Sequence, residues 1–364
     1  MIDFELDEEQ KMLSEAIGRF AAERVRRVYR EADEEGQIPA DVLRSGWELG
    51  LLPSSIPEEY GGFGAHSAVT GAIALESFAW GDLAITLDIL APGLVAIPIL
   101  LAGTEAQKAT YLPPFSQEEK PRLTAALTEP SIHYDPRHLK TTAALRDGHY
   151  VLNGVKSMVP LADEAETILV YAQESDGRTQ GFLLPRHTPG LTVGEREKLM
   201  GLRALPTFGL TLTDCRVPAA NKLGGDAGID FEVILNHSRV ALAAAAVGVA
   251  RASHEYAMRY AKERIAFGEP IAHRQSIAFM LAEMAIDIDA ARLLVWETAW
   301  LLDQGRPATQ NATVMKQYVD EMVLRVTDGA VQVLGGHGYI REHPVELWLR
   351  NARGFATLDG LAIV

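Results

Sequence analysis

The sequence predicts an α+β protein that is mainly α-helical, with a helical domain at each end and a small β domain between them. Three observations lead to this prediction. Apolar residues recur at three- and four-residue spacings in the first and last thirds of the chain. Short runs separated by turn residues fill the middle third, and strands do not alternate with helices. A doubly wound nucleotide-binding fold is therefore not expected, and we place the domains at residues 1–121, 122–228 and 229–364.

The N-terminal domain, residues 1–121, shows helical spacing over most of its length. Its most apolar stretch, residues 84–102, contains Asp88, Pro92 and Pro98. An acidic residue and two prolines are typical of a buried helix with interruptions, and not of a membrane span. We therefore expect no membrane-spanning segment in this domain.

The middle domain contains short β-forming runs such as Thr167–Tyr171, Gly181–Leu184 and Leu210–Leu212. Asp-Gly, Asn-Gly and Pro-Gly pairs lie between runs of this kind. Closely spaced strands with such turn signals indicate a compact antiparallel unit.

The C-terminal domain has three long stretches with helical spacing, residues 231–265, 273–302 and 308–333. The alanine run Ala241–Ala246 favours helix and allows neighbouring helices to approach closely. Gly-Glu-Pro and Gly-Arg-Pro strings end the first two stretches. A helical bundle is the natural way to bury the apolar faces of such helices.

The composition limits the classes of protein to be considered. Of the 364 residues, 48% are hydrophobic and 23% are charged, which is typical of a globular protein. The net charge of −15 argues against nonspecific binding to nucleic acid or to an anionic membrane. Cys215 is the only cysteine, so an intramolecular disulfide and a cysteine-based metal cluster are excluded. The acidic N-terminus lacks a signal segment, and we expect a cytoplasmic protein without a metal site.

Several separate strings of residues occur in order from the N-terminal third to the end of the chain. They are Ile56–Gly62, Gly103–Lys108, Thr128–Pro130, Leu152–Lys156, Gly201–Arg203, Arg264–Ile271, Gln332–Tyr339 and Pro344–Glu346. Together, in this order and spacing, they resemble the acyl-CoA dehydrogenase family. The resemblance implies the fold of that family, with a helical domain, a β domain and a helical bundle.

The resemblance also implies an activity. Such an enzyme oxidises an acyl-CoA thioester to the enoyl-CoA with FAD, as in fatty acid β-oxidation, and passes the electrons to an electron-transfer flavoprotein. The reaction needs one general base, an electrophilic grip on the thioester oxygen, and the flavin as hydride acceptor. We expect a homo- or hetero-oligomer, arranged as a dimer of dimers.

Two groups of residues are placed around FAD by the resemblance. Arg264 matches an arginine that reaches the pyrophosphate of an FAD bound mainly to the neighbouring subunit, and a guanidinium offers two oriented donors to phosphate oxygens. The other residues lent in this way are Phe267, Gln275, Gln332, Gly335 and Gly336. Leu127 and Thr128 belong to the flavin site of the subunit itself.

The position of the catalytic base falls on Asp359. Running forward without a gap from Pro344–Glu346, the Tyr-Glu-Gly of the family aligns with Leu358–Gly360. Aspartate is about 1.5 Å shorter than glutamate, and a misplacement of that size costs on the order of a hundredfold in rate unless the backbone compensates. Some relatives carry the base just before the CoA arginine, but that position holds Ser238. Asp359 is therefore the candidate base, with a solvated aspartate as the alternative interpretation.

Three residues are predicted to bind the substrate. Arg239 matches an arginine that contacts the CoA moiety, although the preceding acidic residue of the family pattern is Asn236 here. Tyr134 and Gly360 lie where family members meet the flavin or the thioester.

The chain departs from the family pattern where a subunit holds its own flavin. His133 and Tyr134 replace a glycine and a serine, Met158 and Pro160 replace the tryptophan and threonine of a Trp-Ile-Thr string, and Leu361 replaces a threonine. Proline has no N–H to donate. An alternative hypothesis therefore stays open: a non-catalytic or flavin-poor subunit that completes the FAD site of a paralogous partner and purifies alone with well under one FAD per subunit.

Overall fold

The computed structural model of the chain describes residues 5–364, in which helices, strands and helices follow one another as predicted. The N-terminal helices are α1 (Glu8–Phe20), α2 (Arg26–Glu35), α3 (Ala40–Trp47), α4 (Leu51–Ser54), α5 (Ala68–Gly81), α6 (Leu83–Leu90), α7 (Gly93–Ala102) and α8 (Glu105–Tyr111), with a π-helical turn at Ala21–Val25. The strands of the middle domain are β1 (Leu123–Ala126), β2 (Thr142–Arg146), β3 (His149–Pro160), β4 (Thr167–Glu174), β5 (Thr179–Pro185), β6 (Leu191–Arg196) and β7 (Thr207–Pro218). The C-terminal elements are α9 (Phe231–Glu263), β8 (Ile265–Ala266), β9 (Glu269–Pro270), α10 (Gln275–Asp303), α11 (Thr309–Leu334) and α12 (Val345–Ala352).

The seven strands β1 to β7 form one mixed sheet in the order β1-β4-β2-β3-β7-β6, and β5 pairs with β4. The prediction of an antiparallel unit was wrong for two pairings, because β1 and β2 each run parallel to β4. A parallel pair needs a long crossover, and the loop after β1 together with the β2–β3 hairpin supplies it. No helix lies between residues 123 and 218, all of which are described. The middle domain therefore contains no strand–helix–strand unit.

Helix α9 is the centre of the C-terminal bundle. Its glycine, Gly248, packs so closely on α5 that an added Cβ would lie 2.3 Å from the carbonyl oxygen of Glu76. The buried Glu76 carboxylate accepts hydrogen bonds from Arg251 of α9 and Arg292 of α10. These contacts fix α5, α9 and α10 against one another. The three long helical stretches predicted from the sequence are confirmed as α9, α10 and α11.

Within residues 5–364, α9 is the one helix that is long and apolar enough on its own to cross a membrane, and 94% of its apolar window is buried inside the protein. Helices α6 and α7 meet the same criterion only as a pair, and they are bent by 51° at their junction. Both observations are typical of core helices, and the second matches the broken helix predicted for residues 84–102.

Two apolar clusters join the three domains. One connects Leu202 and Leu205 of the middle domain with α9 and α12. The other brings Leu94, Leu127 and Ile234 together. Because the cores cross from one domain to the next, the exact domain limits stay predictions.

Candidate active site and cofactor surface

The loop that follows α12 carries Asp359, and we call it the base loop. It is held from two sides. The Thr128 hydroxyl donates to the Asp359 carbonyl oxygen at 3.0 Å, and the Gly360 N–H donates to Oγ of Ser238 at 3.2 Å. Gly360 has φ +71°, and a Cβ there would lie 2.8 Å from Cβ of Leu127. Only glycine fits this position, so the backbone on the C-terminal side of the candidate base is closely defined.

Asp359 is half-buried, and charged side chains lie near its carboxyl group. Its Oδ1 is buried and has no hydrogen-bond partner among the described residues. Burial raises the pKa of this carboxyl above its ordinary value, and the cations Lys316, Arg239 and Arg137 oppose the shift. A raised pKa brings a carboxylate closer to the basicity that proton abstraction near neutral pH requires.

Two polar atoms on residues that act electrostatically on Asp359 are also unpaired. The Tyr134 hydroxyl and Nε of Arg239 are buried without a hydrogen-bond partner within residues 5–364. Burial raises the pKa of the Tyr134 phenol far above its ordinary range, so the hydroxyl stays protonated and can donate. Unpaired buried donors and acceptors are rare in folded proteins, and this cluster indicates a site for a polar ligand.

A small apolar cavity of about 20 Å³ adjoins the base loop. It is lined by Leu94, Ala125, Leu127, Tyr171, Phe231, Ile234, Leu235, Ser238, Gly360, Ala362 and Ile363. A space of this size holds about one water molecule. The pocket next to Asp359 is therefore nearly filled by the protein's own side chains.

A buried ion pair supports the strand end that carries Leu127 and Thr128. Nζ of Lys156 lies 2.9 Å from Oε1 of Glu129 and donates to the Leu127 carbonyl at 3.0 Å. The Glu129 carboxylate also accepts from the backbone N–H groups of Lys140 and Thr141. Burial lowers the pKa of Lys156 to about 8, although Glu129 opposes the shift. This pair fixes the segment that in turn holds the base loop.

A cleft of about 240 Å³ separates the end of β3 from the segment after α12. Met158, Leu202 and Leu358 line it with apolar surface. The Met158 N–H donates to the Glu197 carboxylate at 3.0 Å, so this donor is already occupied, and Pro160 has none to offer. The cleft therefore offers apolar walls and few backbone donors.

A second surface lies at the opposite end of α9. The predicted residues Arg264, Phe267, Gln275, Gln332, Gly335 and Gly336 are all exposed there. The Phe267 ring is 95% exposed, and its residue has φ +54°. Arg264 makes no ion pair or side-chain hydrogen bond with any described residue. A large exposed ring beside an unpaired guanidinium indicates a surface that a ligand or a second chain covers.

The structure thus brings the predicted residues together as two groups. The base site consists of Leu127, Thr128, Tyr134, Arg239, Asp359 and Gly360. The second surface consists of Arg264, Phe267, Gln275, Gln332, Gly335 and Gly336. Arg239 and Arg264 are 25 residues apart on one helix, which separates them by about 38 Å. One chain therefore does not bring both groups to the same part of a cofactor.

Sequence reasoning missed three residues near the base. Ser238 was considered only as an alternative base position, yet it accepts the hydrogen bond that fixes Gly360. Lys316 and Asp320 lie on α11 beside the base loop. Their four-residue spacing is visible in the sequence, but such pairs are common on helix surfaces, so only packing identifies this one.

The comparisons with known proteins agree with this architecture. The domain models of the acyl-CoA dehydrogenase family match the chain over residues 7–119 (N-terminal domain), 124–215 (middle domain) and 230–362 (C-terminal domain). The chain belongs to the acyl-CoA dehydrogenase family, whose members are oxidoreductases that act on CH–CH bonds with FAD as cofactor.

Similar proteins cover nearly the whole chain. The probable acyl-CoA dehydrogenase YngJ of Bacillus subtilis is 37% identical over 97% of this chain and 94% of that protein. The mitochondrial short-chain specific acyl-CoA dehydrogenase of Rattus norvegicus is 36% identical over 96% of this chain and 86% of that protein. The structure of butyryl-CoA dehydrogenase from Megasphaera elsdenii has a TM-score of 0.88 at 33% identity and covers 97% of this chain and 95% of that one. These matches do not favour the alternative of a non-catalytic subunit.

The residues present fit FAD. On the second surface, the exposed Phe267 ring and the unpaired Arg264 guanidinium suit an aromatic and phosphate-bearing ligand. A Cβ added to Gly335 or Gly336 would meet no atom within 4 Å, so the backbone there is open to close approach. Next to the segment that carries Leu358, the apolar cleft at Met158 suits a flat ring system.

Proposed function

We propose that this chain is an FAD-dependent acyl-CoA dehydrogenase for short-chain acyl-CoA thioesters, with Asp359 as the general base. The observation that carries the proposal is the Asp359 carboxyl group, whose Oδ1 is buried and unpaired, as are the Tyr134 hydroxyl and the Arg239 Nε of two residues that act on it electrostatically. A carboxylate that served only to stabilise the fold would have hydrogen-bond partners.

The residues of the site divide the chemistry among them. Asp359 takes the proton from the α carbon of the thioester, and bound FAD supplies the acceptor for the hydride that leaves the β carbon. Thr128 and Ser238 hold the base in place through the two hydrogen bonds to its loop. The Tyr134 hydroxyl is a neutral donor that can serve the thioester oxygen, where negative charge develops as the α proton leaves.

The preference for a short acyl chain rests on the apolar cavity beside the base. Because its volume is only about 20 Å³, any acyl chain must displace lining side chains such as Tyr171, Leu235 or Ile363, and a longer chain must displace more of them. Displacing close-packed side chains typically costs 1–3 kcal/mol. The printed names of two similar proteins, a short-chain specific and a butyryl-CoA dehydrogenase, support the same substrate class.

The exposed second surface completes the FAD site of a neighbouring subunit, with Arg264 on the pyrophosphate and Phe267, Gln275, Gln332, Gly335 and Gly336 around it. This assignment requires an oligomer, and we propose a dimer of dimers. The electron acceptor that we propose is an electron-transfer flavoprotein, in the cytoplasm.

The test is anaerobic reduction of the FAD-loaded oligomer by acyl-CoAs of different length, followed by the loss of flavin absorbance. We expect butyryl-CoA to reduce the flavin faster than octanoyl-CoA, and palmitoyl-CoA to be slowest. Asp359→Asn should abolish reduction and keep the flavin, because asparagine retains the shape but cannot accept the proton. Asp328→Asn, an exposed aspartate on α11, is the matched control. Reduction of the Asp359→Asn protein at the parent rate would exclude Asp359 as the base.

A further inference from the structure

A charged pair on α11 lies against the loop that carries Asp359. Lys316 and Asp320 are one helical turn apart, and Nζ of Lys316 lies 2.7 Å from Oδ2 of Asp320. The same ammonium group donates to the Phe355 carbonyl oxygen at 2.8 Å. Both side chains are mostly buried, with 12% and 17% of their surface exposed. The pair therefore ties α11 to the base loop four residues before Asp359.

The ionisable groups that act on the Asp359 carboxyl come from three elements. They are Lys316 and Asp320 of α11, Arg239 of α9, and Tyr134, Asp135 and Arg137 of the loop after β1. Arg137 is already paired with the Glu232 carboxylate, and Arg239 donates from Nη1 to the Thr313 hydroxyl. Lys316 is the cation with the largest effect on Asp359.

We propose that Lys316 and Asp320 are positioning residues for the general base: Lys316 holds the base loop against α11, and the two charges together set the pH range in which the Asp359 carboxylate is ionised. This inference rests on the proposed function, since it assigns a role toward the base named there. Neither residue contacts the reacting atoms in this assignment.

The two charges act on Asp359 in opposite directions. A nearby ammonium stabilises a carboxylate and a nearby carboxylate destabilises it. Burial raises the pKa of Asp320 to about 6, with Lys316 opposing and Asp359 adding to the shift, so the two carboxyl groups are electrostatically coupled. The acid limb of activity is therefore a joint property of the two carboxyl groups beside one ammonium group.

The experiment measures the rate of flavin reduction by butyryl-CoA across a pH series, with the FAD-loaded oligomer of each variant. Lys316→Met should move the acid limb to higher pH by about one unit or more, because Asp359 loses the cation that stabilises its carboxylate most. Asp320→Asn should move the limb to lower pH, because it removes an anion that repels the Asp359 carboxylate. The Lys316 charge is then no longer neutralised by Asp320 and stabilises the Asp359 carboxylate more strongly. Lys316→Arg, which keeps the charge, should stay close to the parent profile.

Opposite shifts from two residues one turn apart separate this role from a structural one, which would lower the rate at every pH. Arg325→Met is the matched control. Arg325 is also a cation of α11 that pairs with an aspartate, but its partner is Asp287 of α10 and not a residue of the base loop. Its profile should coincide with that of the parent. Flavin content and melting temperature are measured for every variant.

Two results would overturn the inference itself. Shifts of the same sign, or no shift, in Lys316→Met and Asp320→Asn would show that the pair does not set the ionisation of the base. If Lys316→Met does not fold, an unshifted Asp320→Asn profile is enough to refute the proposal. Failure of the parent protein to be reduced at any pH is a different result, because it refutes the proposed function and removes this role with it.

Discussion

The buried pair of Lys156 and Glu129 offers the sharpest test of how the site is supported. The side chain of Lys156 is fully buried and that of Glu129 is 5% exposed. In Lys156→Met, the Glu129 carboxylate loses its counter-ion and the Leu127 carbonyl loses its donor. Removing one partner of a buried ion pair costs about 3–5 kcal/mol, because the remaining charge stays buried without compensation.

The loss should be visible as a fall in melting temperature of about 5 °C or more. Scanning fluorimetry of the FAD-loaded oligomer measures it. Lys108→Met is the matched control, since Lys108 pairs with Glu105 at the surface, and an exposed pair contributes about 0–1 kcal/mol. The double variant Lys156→Met with Glu129→Gln should recover part of the loss, because it removes the uncompensated charge.

The pH dependence gives a second signature. A buried carboxylate without a partner is neutralised by protonation, so the deficit of Lys156→Met should shrink as the pH falls. A melting temperature of Lys156→Met equal to that of Lys108→Met would refute the argument, and the pair would then have no part in holding Leu127 and Thr128.

Two further predictions concern the cofactor and the stability of the site. Arg264→Ala should purify with less FAD per subunit, while the melting temperature of the FAD-free protein stays unchanged. Arg27 is another exposed arginine, and Arg27→Ala should keep its flavin. Equal FAD content in both variants would contradict the role of Arg264. Burial, with His66 adding to it, lowers the pKa of His237 from 6.5 to about 4, so His237 contributes stability that is complete above pH 6.5 and is lost as the pH falls toward 4. His237→Gln should therefore flatten the fall in melting temperature over that range, and an unchanged slope would contradict the shift.

Most of the fold could be predicted from the sequence, because periodicity and turn residues are local signals. The three long helices follow from apolar spacing, and the break between α6 and α7 follows from Pro92, whereas Pro98 lies inside α7. The parallel pairing of β1 with β4 could not be predicted in this way, since strand order depends on contacts between distant segments.

The candidate site was only partly predictable. Asp359 and Arg264 were found through ordered strings that resemble a family, and their roles stay predictions. Lys316 and Asp320 carry no such string, and their position depends on how α11 packs against the base loop. The Met158 N–H is occupied by Glu197, a residue 39 positions away, which no local pattern indicates.

The length of α9 has a genetic consequence under the proposed assignment. One helix supplies Arg239 to the subunit's own site, and Arg264, which directly follows its last residue, serves the neighbour's site. A dimer formed from one Asp359→Asn chain and one Arg264→Ala chain then contains one site with both defects and one site with neither. When the two variants are dissociated and reassembled in equal amounts, about a quarter of all sites would carry neither defect, since half of the dimers are mixed. Such complementation between alleles can occur when catalytic centres are shared between chains. It cannot occur in an enzyme whose catalytic centres each lie within one chain.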